Sequence, residues 1–395
     1  MPRIDPESLR IWLVHDWLTS FRGGEKVLLQ LVRMFPRARI ATLLHIAGTT
    51  HPEIDGRVAR TSFLQKMPLA RMHYRHYLPL FPRAIGSLKL DAEADLVLSV
   101  SHAVAKGIVP PERPDGRRIP HICYCNSPMR YIWGQQNQYG SRRSLNRLAL
   151  KLIAPSLRRF DLRNETIALF LANSHNIAGR IRRCYDRDAV VVYPGVDPTF
   201  AESRDVPAHA HAAALPLSPY YLCAGALVPY KRVDLAIGAF VPQDGQPVRR
   251  LVIAGTGPEL PRLRRLAKNA PNIGFLGRIS DEALLSCYGA ARAFIFPGEE
   301  DFGLTPLEAQ GAGTPVIAYA AGGALETVSD SAENRTGFFF KSQTSESLRG
   351  AIEQFEASPP LSKPMLQRSA QRFSWEAFRR GILEAIDRTL NETGG

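Results

Sequence analysis

The sequence is poor in cysteine, in long apolar runs and in acidic residues. Five cysteines among 395 residues are too few, and odd in number, for a disulfide framework, so a reducing compartment is favoured. Cys123 and Cys125 form a C-x-C pair without a second Cys/His pair nearby, which argues against a zinc site. No apolar run approaches the roughly 18 residues of a spanning helix. The first run, residues 11–15, is too short for a signal-peptide core. These features predict a cytoplasmic chain that does not cross a membrane.

Basic residues outnumber acidic ones, with 50 Lys plus Arg against 37 Asp plus Glu and a formal charge of +13. Such a surplus attracts polyanions: nucleic acid, an anionic membrane or phosphorylated substrates. With 45% hydrophobic and 22% charged residues, the composition excludes a disordered or fibrous protein. The length predicts two or three domains.

Short apolar runs alternate with longer amphipathic stretches, the pattern of parallel β-sheets flanked by helices. In the first half we predict strands near 10–15, 38–44, 95–100, 119–125, 167–172 and 189–193. The helices of this half are predicted at 24–34, 70–88, 143–164 and 175–184. An Ala- and Pro-rich stretch at 201–219 is typical of a linker. Beyond it we predict strands near 220–224, 249–254, 273–276, 292–297, 315–319 and 336–340, and a final helix at 375–390. The fold class is therefore α/β, with two domains of similar size.

The basic residues concentrate in two segments of the first half. Residues 57–90 hold seven Lys or Arg and no acid, interleaved with aromatic residues and methionines, and residues 142–163 hold seven against Asp161. Two interpretations stay open: solvated helix faces, or an interfacial surface that meets anionic lipid. Nucleic acid is not expected as a partner, because no recognisable nucleic-acid module accompanies the charges.

The densest chemical signal lies in residues 294–317, where a strand, a glycine-containing loop, a helix and a second strand follow one another. Thr305 is predicted as the N-cap and Pro306 as the first helical residue. A helix N-terminus directs unpaired N–H groups outwards, so this loop is suited to a phosphate. Glu308 stands three residues after Thr305, and local chemistry alone explains it equally well as the acidic half of a capping box.

Seven residues separate Glu300 from Glu308, and with this pair the sequence resembles the retaining glycosyltransferases of family GT4, which have a GT-B fold and an E-x7-E motif. The resemblance covers nearly the whole chain. It rests on Gly23-Gly24-Glu25, 193–197, 225–234, 253–257, 275–278, the glutamate pair and 322–328. It implies two Rossmann-like domains whose parallel sheets face each other across a cleft. The acceptor domain would span 1–203 and the nucleotide-sugar donor domain 204–373, with a C-terminal helix at 374–395 packing back on the first domain.

The resemblance also implies roles for individual residues. Glu308 would bind the donor ribose, and Glu300 would face the donor sugar or the reacting centre. Lys231 would stabilise the leaving diphosphate, with help from Arg232. Ala226 stands where the wider family often has Arg. The remaining donor-binding residues would be Gly23, Gly24, Phe302, Gly303, Leu304, Gly277 and Arg278.

Asn126 occupies a position where similar enzymes commonly have a histidine near the donor sugar. Asparagine donates and accepts hydrogen bonds but does not change charge near neutral pH. We therefore expect Asn126 to act in catalysis by orienting the sugar, without proton transfer; an Asx-type turn, in which its side chain bonds nearby backbone ahead of Pro128, explains the residue equally well. The histidines are harder to interpret. Four of them fall at or near predicted strand ends, where a ligand-facing role and a satisfied polar role are both open: His15, His102, His121 and His175.

The resemblance, which extends to mannosyltransferases of bacterial surface-polysaccharide assembly, implies a retaining hexosyltransferase. The first choice of donor is GDP-mannose, and the acceptor would be a glycan or a lipid-linked oligosaccharide in polysaccharide or glycolipid synthesis. The leaving phosphate oxygen would help to remove the acceptor proton, so neither a metal nor a separate cofactor is expected. We expect the protein in the cytoplasm, with peripheral contact to an anionic membrane at its inner face. Two alternatives remain: a non-hydrolysing sugar-nucleotide epimerase of the same fold, and a catalytically silent membrane or assembly scaffold.

Overall fold

The computed structural model describes residues 4–133, 144–201, 219–245 and 247–394. The chain divides into two compact units. The first runs to Tyr193 and also includes the C-terminal residues from Phe378, and the second spans Pro194–Ala377. The predicted boundary between residues 203 and 204, and nearly all of the predicted linker, lie outside the described residues. Each unit is α/β with a parallel sheet, which confirms the predicted fold class.

The first unit is built on a seven-stranded parallel sheet in the order β3-β2-β1-β4-β5-β6-β7. Its strands are β1 Ile11–His15, β2 Arg39–Thr42, β3 Val58–Thr61, β4 Leu96–Ser101, β5 His121–Cys125, β6 Leu169–Ala172 and β7 Ala189–Val191. The central strands β1, β4 and β5 are buried along their whole length, because helices cover both faces of such a sheet. Buried Trp12, Val14 and Phe81 belong to the core on one face.

The helices of this unit include one correction to the sequence prediction. They are Gly23–Met34, Pro52–Asp55, Ala70–His73, Phe81–Gly86, Ser144–Asp161 and His175–Tyr185, with 3-10 turns at Phe63–Lys66, Tyr74–Leu80 and Ala105–Gly107. The continuous helix predicted over 70–88 is wrong. Pro79 and Pro82 lack backbone N–H groups, so the chain forms two short helices separated by the 3-10 turn.

The second unit contains a six-stranded parallel sheet in the order β10-β9-β8-β11-β12-β13. Its strands are β8 Tyr220–Ala224, β9 Leu251–Ala254, β10 Ile273–Gly277, β11 Ala291–Phe296, β12 Val316–Tyr319 and β13 Gly337–Phe340, and all six were predicted within two residues. The helices are Pro198–Ala201, Val233–Phe240, Leu260–Leu266, Asp281–Ala290, Leu304–Gly311, Ala324–Thr327, Ser345–Ala357 and Lys363–Gln371, with a 3-10 turn at Pro229–Lys231.

The final helix, Trp375–Gly394, begins in the second unit and continues in the first. The ring of Phe378 packs edge-on against Tyr124, with 5.9 Å between centroids. A Cβ added at Gly381 would stand 2.9 Å from a methyl carbon of Val192, so the helix lies against the chain that follows β7. Residues after Ala377 therefore complete the core of the first unit.

Each sheet contains one point where the strand order reverses direction: between β1 and β4 in the first unit, and between β8 and β11 in the second. In open α/β sheets, ligands bind outside the carboxyl ends of the strands at such a switch point. The loops that follow these four strands are therefore the places where the fold positions functional side chains.

Candidate functional site

Lys231 and Glu300 meet at the switch point of the second unit. Lys231 ends the 3-10 turn after β8 and Glu300 lies in the loop after β11, and the two side chains form a hydrogen-bonded ion pair. Only 15% of the lysine side chain and 18% of the glutamate side chain are exposed. Burial disfavours the ammonium, but the nearby Glu300 carboxylate outweighs burial and raises the pKa of Lys231 above its ordinary value. The site therefore keeps a charged lysine at neutral pH.

Two glycines allow these loops to approach each other. A Cβ at Gly298 would stand 2.6 Å from the carbonyl oxygen of Tyr230 and 2.8 Å from the Cα of Lys231. Gly225 adopts φ +137°, which other residues rarely reach, and a Cβ there would lie 3.7 Å from the lysine Nζ, an ordinary van der Waals distance. Any side chain at position 298 would displace the turn that carries Lys231.

The helix Leu304–Gly311 begins two residues earlier than the sequence predicted. Its N-cap is Gly303, which adopts φ +97°, a conformation that glycine reaches without strain. Thr305 is thus the second helical residue and Pro306 the third, so the predicted N-cap is wrong. The Thr305 hydroxyl is buried and has no hydrogen-bond partner among the described residues. The capping-box explanation of Glu308 fails as well, because Glu308 is the fifth residue of the helix.

The loop before this helix rests on a second pair of glycines. The Gly323 N–H donates to the carbonyl oxygen of Glu300 at 2.8 Å. A Cβ at Gly323 would stand 2.1 Å from the Phe302 carbonyl oxygen, and one at Gly322 would stand 2.3 Å from that of Glu300. The Phe302 side chain is buried against Phe373, with 5.7 Å between ring centroids. Close backbone packing therefore fixes the direction of the first helical N–H groups, which follow at Gly303 and Leu304.

Glu308 is buried and bonded to a residue that sequence analysis missed. The Tyr288 hydroxyl, on the helix Asp281–Ala290, donates to Glu308 Oε2 at 3.3 Å. Burial, reinforced by the Glu308 charge, raises the pKa of Tyr288 well above its ordinary value, so the phenol stays protonated and remains a donor. No local sequence signal joins positions 20 residues apart on separate helices.

The other donor-side predictions lie farther from the ion pair. Arg232 adopts φ +51° and is engaged locally, with Nε 3.3 Å from Asp234 Oδ1 and a hydrogen bond of 3.2 Å to Gln343. Gly277 ends β10 with φ +70°, and Arg278 after it is exposed. β10 lies two strands from β8, so these two residues stand at the same sheet edge but about 10 Å from the switch point.

In the first unit, the structure brings Gly24 and Asn126 together at the switch point. The helix Gly23–Met34 begins there, and a Cβ at Gly24 would stand 3.4 Å from Asn126 Nδ2 and 3.6 Å from His15 Cε1. The backbone of Asn126 is bonded to Ser101. Its buried Nδ2 has no hydrogen-bond partner among the described residues. Because an unpaired buried N–H is costly, this amide is suited to a ligand oxygen.

Two further findings concern metals and membranes. Across the described ranges, no group of three or more His, Cys, Asp or Glu side chains is placed to hold a metal ion. Among the helices of the same ranges, none is both long enough and apolar enough to cross a membrane.

Both units match known enzyme families. Residues 21–200 match the model of Glycosyltransferase Family 4, and residues 213–372 match that of Glycosyl transferases group 1. Together the two matches span most of the chain. The chain therefore belongs to the group 1 glycosyltransferase family. Solved structures agree at the level of the fold. Anabaena HepE, determined with UDP-glucose, has a TM-score of 0.67 at 19% identity, covering 96% of this chain and 99% of that one. WaaG, a glycosyltransferase of lipopolysaccharide biosynthesis, has a TM-score of 0.65 at 14% identity, covering 95% and 99%.

Curated relatives of this glycosyltransferase match over shorter stretches. A D-inositol 3-phosphate glycosyltransferase of Rhodococcus erythropolis is 30% identical over 236 residues, which cover 54% of this chain and 52% of that protein. A GDP-mannose-dependent monoacylated alpha-(1-6)-phosphatidylinositol monomannoside mannosyltransferase of Corynebacterium glutamicum is 38% identical over 122 residues, covering 28% and 32%. The chain thus spans about half or less of the length of these two relatives.

Proposed function

We propose that this glycosyltransferase moves a hexosyl group from a nucleotide-diphosphate sugar to a glycan or lipid-linked acceptor, with retention of anomeric configuration. The observation that carries the proposal is the Lys231–Glu300 pair at the switch point of the second unit. Negative charge develops on the diphosphate as its bond to the sugar breaks. A fixed ammonium beside that oxygen stabilises the developing charge more than it stabilises the bound substrate, which is the condition for catalysis.

The start of the helix Leu304–Gly311 would hold the sugar-diphosphate portion of the donor. The first N–H groups of a helix have no partner within it. They lie at the positive end of the helix dipole, which attracts phosphate. Gly303 and Leu304 present these groups, with Phe302 as the residue before them. The buried Glu308, held by Tyr288, is placed to accept hydrogen bonds from the ribose hydroxyls.

We base the proposed retention on the ion pair of Glu300. Its carboxylate is paired with the Lys231 ammonium, which lowers its power as a nucleophile and makes a glycosyl-enzyme intermediate at this residue unfavourable. We propose instead that the acceptor oxygen bonds to the anomeric carbon on the face from which the phosphate departs. The acceptor proton passes to the leaving phosphate oxygen, so the charges balance without a basic side chain.

GDP-mannose is our first choice of donor. The support is the resemblance to mannosyltransferases of surface-polysaccharide assembly and the GDP-mannose-dependent relative from Corynebacterium glutamicum. HepE was determined with UDP-glucose, so a uridine donor is the principal competitor.

We also propose peripheral contact with an anionic membrane through the surface formed by residues 63–76. Phe63, Leu69 and Met72 are exposed apolar side chains there, with 36%, 64% and 69% of their surface accessible. Lys66 and Arg71 lie exposed between them and form no ion pair with the residues that the structure describes. Apolar side chains enter the headgroup region while unpaired cations meet lipid phosphate, which suits an acceptor carried on lipid.

The test begins with thermal shifts against GDP, UDP, ADP and their sugars, where a ligand at 100 times its Kd stabilises by about 2.7 kcal/mol. The nucleotide sugar that stabilises most is then incubated with membrane lipids and glycan acceptors, and NMR assigns the anomeric configuration of the product. A retained configuration supports the proposal. An inverted product, epimerisation of the sugar nucleotide without an acceptor, or no nucleotide binding would each overturn it. The last two outcomes indicate an epimerase and a scaffold, respectively.

A further inference from the structure

A second polar cluster lies at the switch point of the first unit, and its centre is Asp16. This residue directly follows β1 and is completely buried. Its carboxylate accepts the backbone N–H groups of four consecutive residues after β4. The donors are His102 at 2.7 Å, Ala103 at 3.1 Å, Val104 at 2.5 Å and Ala105 at 2.8 Å. These bonds fix the loop after β4 in one conformation.

The same carboxylate orients the imidazole of His102. His102 Nδ1 lies 3.0 Å from Asp16 Oδ2, so Nδ1 carries the proton and Nε2 is left as the acceptor. The Trp17 ring packs edge-on against the imidazole, with 4.6 Å between centroids. The His102 side chain is still 30% exposed, and no residue of the described ranges forms a hydrogen bond with Nε2. The His102 ring is thus positioned by Asp16 at Nδ1, while its Nε2 is available to a ligand.

Titratable or charged groups on β1, on the helix Gly23–Met34 and in the chain after β5 act on this imidazole: His15, Glu25 and Arg130. His15 on β1 has its ring centroid 5.8 Å away, and Glu25 on the helix Gly23–Met34 lies 3.6 Å from His15 Nε2. Burial lowers the pKa of His102, as do the charges of His15 and Arg130, and together these effects outweigh the opposing charges of Asp16 and Glu25. The imidazole is therefore neutral at pH 7, with a lone pair on Nε2.

We propose that His102 binds the reactive hydroxyl of the acceptor through Nε2, with Asp16 as the positioning residue that fixes its tautomer. A neutral acceptor nitrogen recognises a hydroxyl, whereas the two nearby carboxylates disfavour a phosphate or carboxylate in the same place. The inference rests on the proposed function, because it supplies the acceptor side of that reaction. His102 accepts a hydrogen bond and takes no proton, so it is not consumed as a base.

The first experiment measures acceptor and donor kinetics of His102→Ala and His102→Gln beside the exposed control Lys268→Ala. His102→Ala should lower kcat/KM for the acceptor about five- to tenfold, the effect of one neutral hydrogen bond. Gln offers a side-chain oxygen, so His102→Gln should recover part of this loss. The Kd of the nucleotide diphosphate and the slow hydrolysis of the donor without acceptor should stay unchanged in all three variants.

The second measurement is the pH profile of kcat/KM for the acceptor. In the wild type this value should fall at acid pH as His102 becomes protonated, because imidazolium cannot accept a hydrogen bond. In His102→Gln that part of the fall should disappear. Wild-type acceptor kinetics and an unchanged pH profile in both variants would overturn the inference. A lower Tm with unchanged acceptor kinetics would overturn it as well, leaving His102 a purely structural role. If the wild type neither binds nor hydrolyses any nucleotide sugar, the proposed function itself has failed, which is a distinct result.

Discussion

Lys231→Met removes the ammonium at the second switch point and keeps most of the side-chain length. Glu300, with only 18% of its side chain exposed, then loses its partner. Removing one member of a buried ion pair costs about 3–5 kcal/mol. Because both side chains retain some contact with water, we expect a loss of about 2–3 kcal/mol in the free energy of unfolding. In a unit of this size the loss corresponds to a fall in Tm of roughly 4–12 °C.

The double variant Lys231→Met/Glu300→Gln separates pairing from packing. No charge is left unpaired in it, so it should be more stable than Lys231→Met alone. Equilibrium unfolding in urea at pH 7, followed for the wild type, both single variants and the double variant, gives the coupling energy. Lys268→Met, at an exposed lysine of the same unit, is the matched control and should leave stability unchanged.

The kinetics of Lys231→Met provide a second test of the ion pair. Turnover by Lys231→Met should fall about 100- to 1000-fold, the usual effect of removing one group that stabilises transition-state charge. The affinity for the nucleotide diphosphate should fall as well, while Lys268→Met keeps both values. If Lys231→Met unfolds and turns over like the wild type, the ion pair is neither stabilising nor catalytic and the reasoning fails.

Three further predictions follow from other contacts. Gly323→Ala forces a methyl group towards the Phe302 carbonyl oxygen, 2.1 Å from the ideal Cβ, and should lower both Tm and donor affinity; unchanged values of both would contradict the packing described for this loop. Met72→Ser should weaken binding to vesicles containing anionic lipid, measured by sedimentation at low salt, and added salt should weaken the wild type too. Equal binding to neutral and anionic vesicles, or none to either, would contradict the proposed membrane contact of residues 63–76. Burial alone would raise the pKa of Glu25, but the combined effects of His15, His102 and a backbone hydrogen bond outweigh burial and lower it. Its contribution to stability is therefore present above the unfolded-state pKa of about 4.3 and lost as pH falls through the folded-state pKa. Glu25→Gln should thus be less stable than the wild type at pH 7, and the difference should shrink progressively as the pH falls below about 4.3; a difference that stays constant would contradict the assignment.

The sequence predicted the buried strands well because each is a short continuous apolar run. β3 was missed since Val58–Thr61 is an exposed edge strand with one large apolar residue. The helix start after β11 was misplaced because the sequence predicts Thr305 as the N-cap, whereas the N-cap is Gly303, two residues earlier. Thr305 offers a capping side chain, whereas Gly303 offers a positive φ, and the close packing of this loop against Gly322 and Gly323 selects the glycine.

The candidate site was predicted less completely for a related reason. Lys231 and Glu300 are 69 positions apart, and only the family resemblance named both in advance. Asp16 was missed although a polar residue directly after a buried strand is a usable signal, because its partners are backbone N–H groups that any sequence after β4 provides. A side chain that bonds only to backbone N–H groups does not constrain the residue types of its partners, so the sequence does not predict the contact.

The path of the last helix has a consequence for biosynthesis. Residues 378–394 complete the first unit, yet they follow the entire second unit along the chain. During translation the first sheet therefore emerges with the surface around Tyr124 and Val192 uncovered. At a translation rate of about 5–20 residues per second, synthesis of the roughly 200 intervening residues keeps this surface uncovered for about 10–40 s. Synthesis of the second unit is therefore complete before synthesis of the first unit is complete. A nascent chain halted before Phe378 should thus carry a second unit ready to fold and a first unit that still binds chaperones.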